Sequence, residues 1–226
     1  MELPVRELRS NDDARATARD RARELLPSVL LTLLSMIQAV ALELLWSRLR
    51  ESDHLWVGGW ASVLGWMQAA AVILGLLEIW LFYLSLLLRF SWVPGVREML
   101  LPFALGVLEF MLIDLMGPQQ VGLWMICLAV VFTLAIGETH LIFRSARRDP
   151  ANAHFFEGVA PATLRDFVPQ AIVVAAMASL GLAVWLLRDE RWLAAASLLL
   201  ANSALLWQMR ATSSYWTAYI TTRGSR

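Results

Sequence analysis

Five carboxylates stand inside long apolar runs of the chain: Glu43, Glu78, Glu109, Asp114 and Glu138. A charged side chain near the centre of a bilayer costs about 2.5 to 3.5 kcal/mol even on the most lenient insertion scale. No arginine sits at comparable depth in those runs to neutralise them. Each acid therefore needs a proton, a cation or water. A set of such acids is the chemistry of a proton or cation path. Counted from the ends of the runs, Glu43 and Asp114 fall toward one face of the membrane, Glu109 near the middle, and Glu78 and Glu138 toward the other face.

Helical angles sort these acids further. At about 100° per residue, Gln68, Gly75, Glu78 and Ser85 share one arc of their helix, and Pro102, Gly106 and Glu109 share another. Asp114 points roughly 140° away from Glu109. Thr133, Gly137 and His140 share a face from which Glu138 is displaced. The run that carries Glu43 spreads Ser28, Thr32, Ser35 and Gln38 over about half its circumference, a pattern suited to a helix surrounded by protein. The expected ion- or substrate-binding set is thus Glu78, Glu109 and Glu138 along the path, Glu43 and Asp114 at its outer mouth, and Gln38, Gln68 and His140 as neutral ligands. Glu138 and His140 are the only metal-ligand pair in prospect. At i and i+2 they face different ways, so a metal would need a ligand from another helix.

Composition removes other chemistries. All nineteen basic residues are arginine. Without lysine there is no Schiff base and no Walker-type phosphate site. The single cysteine, Cys127, forbids an internal disulfide. Neither a Ser-His pairing, an HExxH motif nor a paired-aspartate pattern is present, and three histidines leave little for metal catalysis. No catalytic residue and no cofactor is assigned, beyond a cation held by the acids.

The elements that must position these groups are membrane-spanning helices. The chain has 226 residues, 58% of them hydrophobic, and a mean hydropathy of +0.58. That is too apolar for a soluble domain and too long for one anchor. The expected fold is an all-α integral membrane bundle of about six transmembrane helices, near 28–48, 60–86, 99–117, 120–143, 167–187 and 192–209, each at least as long as the roughly 17 residues a crossing needs. Residues 1–26 form a cytoplasmic Arg-rich arm, 27–210 the transmembrane domain and 211–226 a cytoplasmic tail. The apolar stretch from Leu55 to Leu88 exceeds one crossing, so Trp56-Val57-Gly58-Gly59-Trp60 is expected to be a surface turn. The first apolar run is expected to remain as an anchor, because a polar, Arg-rich segment precedes it.

Arginine placement orients the bundle. The amino-terminal arm and the segments after the second and fourth spans hold most of the arginines, so both termini are expected in the cytoplasm, across a bacterial inner membrane. Indole favours the headgroup level; Trp46, Trp56, Trp60, Trp124, Trp185 and Trp192 would form an outer belt, and Trp92, Trp207 and Trp216 an inner one. In the arm, Asn11 and Asp12 are placed to cap an amphipathic helix on which Arg15, Arg19 and Arg23 form a stripe. That stripe either rests on anionic lipid headgroups or pairs with Asp20 and Glu24.

Three functions follow as alternatives. One is a channel or transporter for protons or cations. A second is a non-catalytic assembly subunit whose protonated acids hydrogen-bond between helices. A third is an intramembrane metal-dependent enzyme. Ala171, Ala175 and Ala178 in the fifth span, and Ala194, Ser197, Ala201 and Ala204 in the sixth, give small-residue faces that permit close packing. They serve either as scaffold or as the interface of a homo-oligomer or a membrane partner. Membrane topology accounts for the basic arm, and nucleic acid is not an expected partner.

Overall fold

The structure, a computed structural model, describes the backbone of residues 5–90, 96–158, 160–161, 163–188 and 191–223, and the side chains of 17, 20–22, 24–90, 99–158, 160–161, 163, 165–188 and 191–214. All its regular elements are helical: α1 (Val5–Glu51), α2 (His54–Val57), α3 (Trp60–Arg89), α4 (Val96–Asp114), α5 (Val121–Arg148), α6 (Ala153–Phe156), α7 (Val168–Leu187) and α8 (Trp192–Arg223), with three short 3-10 turns. Among the described residues, five helical segments are long and apolar enough to cross a membrane: Asp20–Glu51, Trp60–Arg89, Pro118–Arg148, Arg165–Leu187 and Trp192–Ser214. Helix α4 is not among them. Its nineteen residues include Arg97, Glu98, Glu109 and Asp114.

The punctuation follows local chemistry. Gly58 and Gly59 both take φ +84°, a conformation that side chains resist, and α3 starts directly after them at Trp60. The expected turn is therefore present. Pro118 opens the 3-10 turn that leads into α5, and the Thr163–Asp166 capping box prepares the entry to α7.

Two expected boundaries differ. The amino-terminal arm is no separate helix: α1 runs unbroken from Val5 to Glu51 through Pro27, so Asn11 and Asp12 lie inside a helix rather than at a cap. No glycine interrupts this stretch. The side chains of Arg15, Arg19 and Arg23 lie outside the described residues. At the other end, α8 continues to Arg223, and the expected tail prolongs the last span.

The long helices pack as two layers. In one, α3 lies between α1 and α8; in the other, α5 lies between α4 and α7. The tightest pairs are α5 with α7 and α3 with α8, and α4 bridges α1 to α5. Gly122 and Gly181 let α5 and α7 meet backbone to backbone: a Cβ on Gly122 would stand 2.6 Å from the Trp185 nitrogen. Between α1 and α4, Gly106 instead gives space to the Ile37 side chain. On α8, Ala194, Ser197 and Ala201 are fully buried. That small-residue face is spent inside the protomer and offers no oligomer contact, whereas Ala171 and Ala175 of α7 stay exposed. The outward faces are apolar on every long helix, as at Met36, Ile73, Leu100, Val130, Ile172 and Leu199, a surface for lipid rather than water.

Candidate functional site

Helix α3 is the polar hub of the bundle. Gln38 of α1 donates from Nε2 to the Leu76 carbonyl at 2.8 Å. Asn202 of α8 donates from Nδ2 to the Met67 carbonyl at 3.1 Å, the interhelical bond open to it. Gln68 accepts at Oε1 from the Gly117 N–H, 3.0 Å away, and so fixes the turn between α4 and α5. Each bond joins a buried or half-buried amide to a backbone group of another element, which suits an interior without bulk water.

Three of the five acids turn inward. Glu78 on α3, Glu109 on α4 and Glu138 on α5 are 4%, 5% and 2% exposed. Their surroundings differ. The Tyr83 hydroxyl of α3 donates to Glu138 Oε1. Thr212 of α8 donates from Oγ1 to Glu78 Oε1 at 2.6 Å. Glu109 has no such contact: both of its oxygens are buried without a hydrogen-bond partner among the described residues, as is Glu78 Oε2.

Glu78 and Glu109 line one small cavity of about 50 Å³ between α3, α4, α5 and α8. Its walls include Gly75, Leu112, Leu128 and Leu205, with Trp124 on one side and Gln208 at the α8 end. Trp124 is wholly buried and its Nε1 has no hydrogen-bond partner among the described residues. Three carboxylate oxygens and one indole N–H are therefore left unsatisfied in residues that line the cavity. Buried polar atoms are rarely left so, because each costs about 1 to 3 kcal/mol. A cavity needs at least about 10 to 15 Å³ to hold one water, and a water's share of the liquid is about 30 Å³, so there is room here for about one or two. Two acids, a donor and that volume make a site for water and a proton, or for one small cation.

The other expected members lie elsewhere. Glu43 and Asp114 are exposed on the bundle surface and do not line the cavity. The inward stripe of α1 is Leu34, Gln38, Ala41 and Leu45, which turns Glu43 outward. Asp114 ends α4, where Arg48 donates to the carbonyls of Asp114 at 3.1 Å and Met116 at 2.9 Å. An arginine thus does stand at the level of this acid, at the negative end of the helix dipole. His140 is exposed and meets the Phe167 ring edge-on at 5.4 Å. It shares no site with Glu138, as their i and i+2 spacing requires. Gln38 and Gln68 bond backbone groups and do not line the cavity.

Sequence reasoning missed Trp124, Tyr83 and Thr212. Trp124 reads as a belt residue from its place near the end of a run, yet it is central. Tyr83 carried a usable cue, because a tyrosine deep in an apolar helix needs a partner for its hydroxyl. Thr212 lay in the expected tail, and only the extension of α8 brings it to Glu78. Among the described residues, no group of three or more His, Cys, Asp or Glu side chains is placed to hold a metal. No family model, curated protein or solved structure matches the chain.

Proposed function

We propose that this chain is a six-span membrane protein that passes protons, or a small monovalent cation, with Glu109 as the central carrier group and Glu78 beside it. The observation that carries this proposal is the cavity of about 50 Å³ in which Glu109 and one oxygen of Glu78 have no hydrogen-bond partner among the described residues. An acid kept solely for packing would have been satisfied by a neighbouring donor or replaced by an apolar residue at no cost to stability. The two carboxylates, hard oxygen ligands, favour a proton or a hydrated hard cation over a transition metal, and the Trp124 N–H can donate to a water between them. A second, larger cavity shares Phe132, Ala135 and Gln208 with the small one.

In this account α4 is the sixth span, its acids tolerated because α1, α3 and α5 surround it. Both termini face the cytoplasm, in accord with the arginines of the arm and of the segment from Arg144 to Arg165. Purified protein reconstituted into liposomes with a trapped pH dye tests the function. An imposed potential is expected to drive proton entry well above that of empty liposomes. Absence of proton, sodium and potassium flux from correctly folded, incorporated protein contradicts the proposal.

One observation favours a second function. The Thr212–Glu78 and Tyr83–Glu138 bonds each tie α3 to another helix, as expected of an assembly module held by polar contacts. That alternative assigns no role to Glu109. It requires that Glu109→Gln leave every property of the protein unchanged.

A further inference from the structure

The larger cavity, of about 430 Å³, lies between α3, α5, α7 and α8. Its walls come from both of the tightest helix pairs, α3 with α8 and α5 with α7. The volume is within the range of about 300 to 1,000 Å³ typical of small-molecule sites.

Its wall is more apolar than its residue types suggest. Phe82, Phe132, Phe143 and Trp207 line it, with Ile136 and Val173. The hydroxyls that reach it are already engaged: Ser85 donates to the Leu81 carbonyl, Thr139 to the Ala135 carbonyl and Thr212 to Glu78. A sugar or a nucleotide would find few partners here. At the rim stands one cation. The Arg89 guanidinium carbon lies 5.1 Å from the centre of the Phe90 ring and 5.7 Å from that of Phe155. These aromatic faces hold the guanidinium in place. Arg89 is exposed and pairs with no carboxylate among the described residues.

An apolar chamber with one exposed, positioned guanidinium at its mouth is complementary to a molecule with an apolar chain and one anionic end. We infer that this cavity binds a single-chain anionic amphiphile, a long-chain carboxylate, with its chain among Phe82, Phe132, Phe143 and Trp207 and its carboxylate on Arg89. The planar guanidinium matches a carboxylate in bidentate geometry. The cavity is too small for a whole two-chain lipid, and it lies at the end of α3 where a chain can enter from the membrane with its head at the interface. The inference does not depend on proton passage, since the binding chemistry belongs to Arg89 and the aromatic wall.

A photoreactive long-chain fatty acid, added to the full-length protein in neutral detergent, tests it. Saturable labelling is expected on the α3, α5 and α8 peptides that line the cavity, competed by unlabelled fatty acid. Arg89→Gln is expected to weaken binding about tenfold, and Ala204→Trp, which fills the chamber, to abolish it. A fatty alcohol of equal length should bind at least tenfold more weakly, a comparison that needs no variant to fold. Absence of saturable labelling overturns the inference. So does equal binding of alcohol and acid, or competition by a two-chain anionic phospholipid but not by free fatty acid.

Discussion

Glu109 is the central residue, because it is buried and neither of its oxygens has a hydrogen-bond partner among the described residues. Such a group burdens the fold. Glu109→Leu is therefore expected to keep or raise the unfolding midpoint in detergent while abolishing transport, the trade between stability and activity seen at strained sites. Glu138 belongs to the opposite category. Tyr83→Phe removes its donor and should cost about 0.6 to 1.7 kcal/mol in equilibrium unfolding, the range of interhelical hydrogen bonds in membranes. Glu138→Gln retains an acceptor for Tyr83 and should cost less. The polar faces of α3 and α4 were legible, since Glu78 shares an arc with Gly75, and Glu109 one with Gly106. Which acid would lack a partner was not, because that depends on Tyr83 and Thr212, brought in by neighbouring helices.

At the scale of elements, glycine decides where helices touch. A Cβ at Gly122 would stand 2.6 Å from the Trp185 nitrogen and 2.7 Å from the Gly181 carbonyl oxygen, both backbone atoms that cannot rotate away. Gly75 has nothing within 4 Å. Gly122→Ala should accordingly lower stability by about 1 to 3 kcal/mol, as overpacking does, and Gly75→Ala should leave it nearly unchanged. Thermal unfolding of the two variants side by side provides the check. The turn at Gly58-Gly59 was readable because consecutive glycines interrupt an apolar run too long for one crossing. The unbroken α1 and the long α8 were not. Polar composition marks where the membrane ends, and a helix does not have to end there. The small-residue face of α8 was legible as a packing face, but whether it met a partner or its own α3 depended on how the helices were arranged.

For the whole molecule, two layers of three helices place α4, with its Glu109 and Asp114, against α1, α3 and α5. The same arrangement sets α3 and α5 on either side of the acid cavity. Impermeant thiol reagents test the topology in a Cys127→Ser background. Cysteines placed at Asp53 and Gln119 should react on intact cells, and those at Glu157 and Ser214 only after permeabilisation. Membrane character was plain from hydropathy, and the presence of inward acids from burial cost. Their convergence was not, because Glu43 and Asp114 resemble Glu78 in sequence and only packing turns them outward. The most direct test of the central claim compares proton flux in liposomes holding equal amounts of wild-type, Glu109→Gln and Glu43→Gln protein. The account predicts that Glu109→Gln falls at least tenfold, to the rate of empty liposomes, while Glu43→Gln stays within about twofold of wild type. Equal flux from wild type and Glu109→Gln would contradict it.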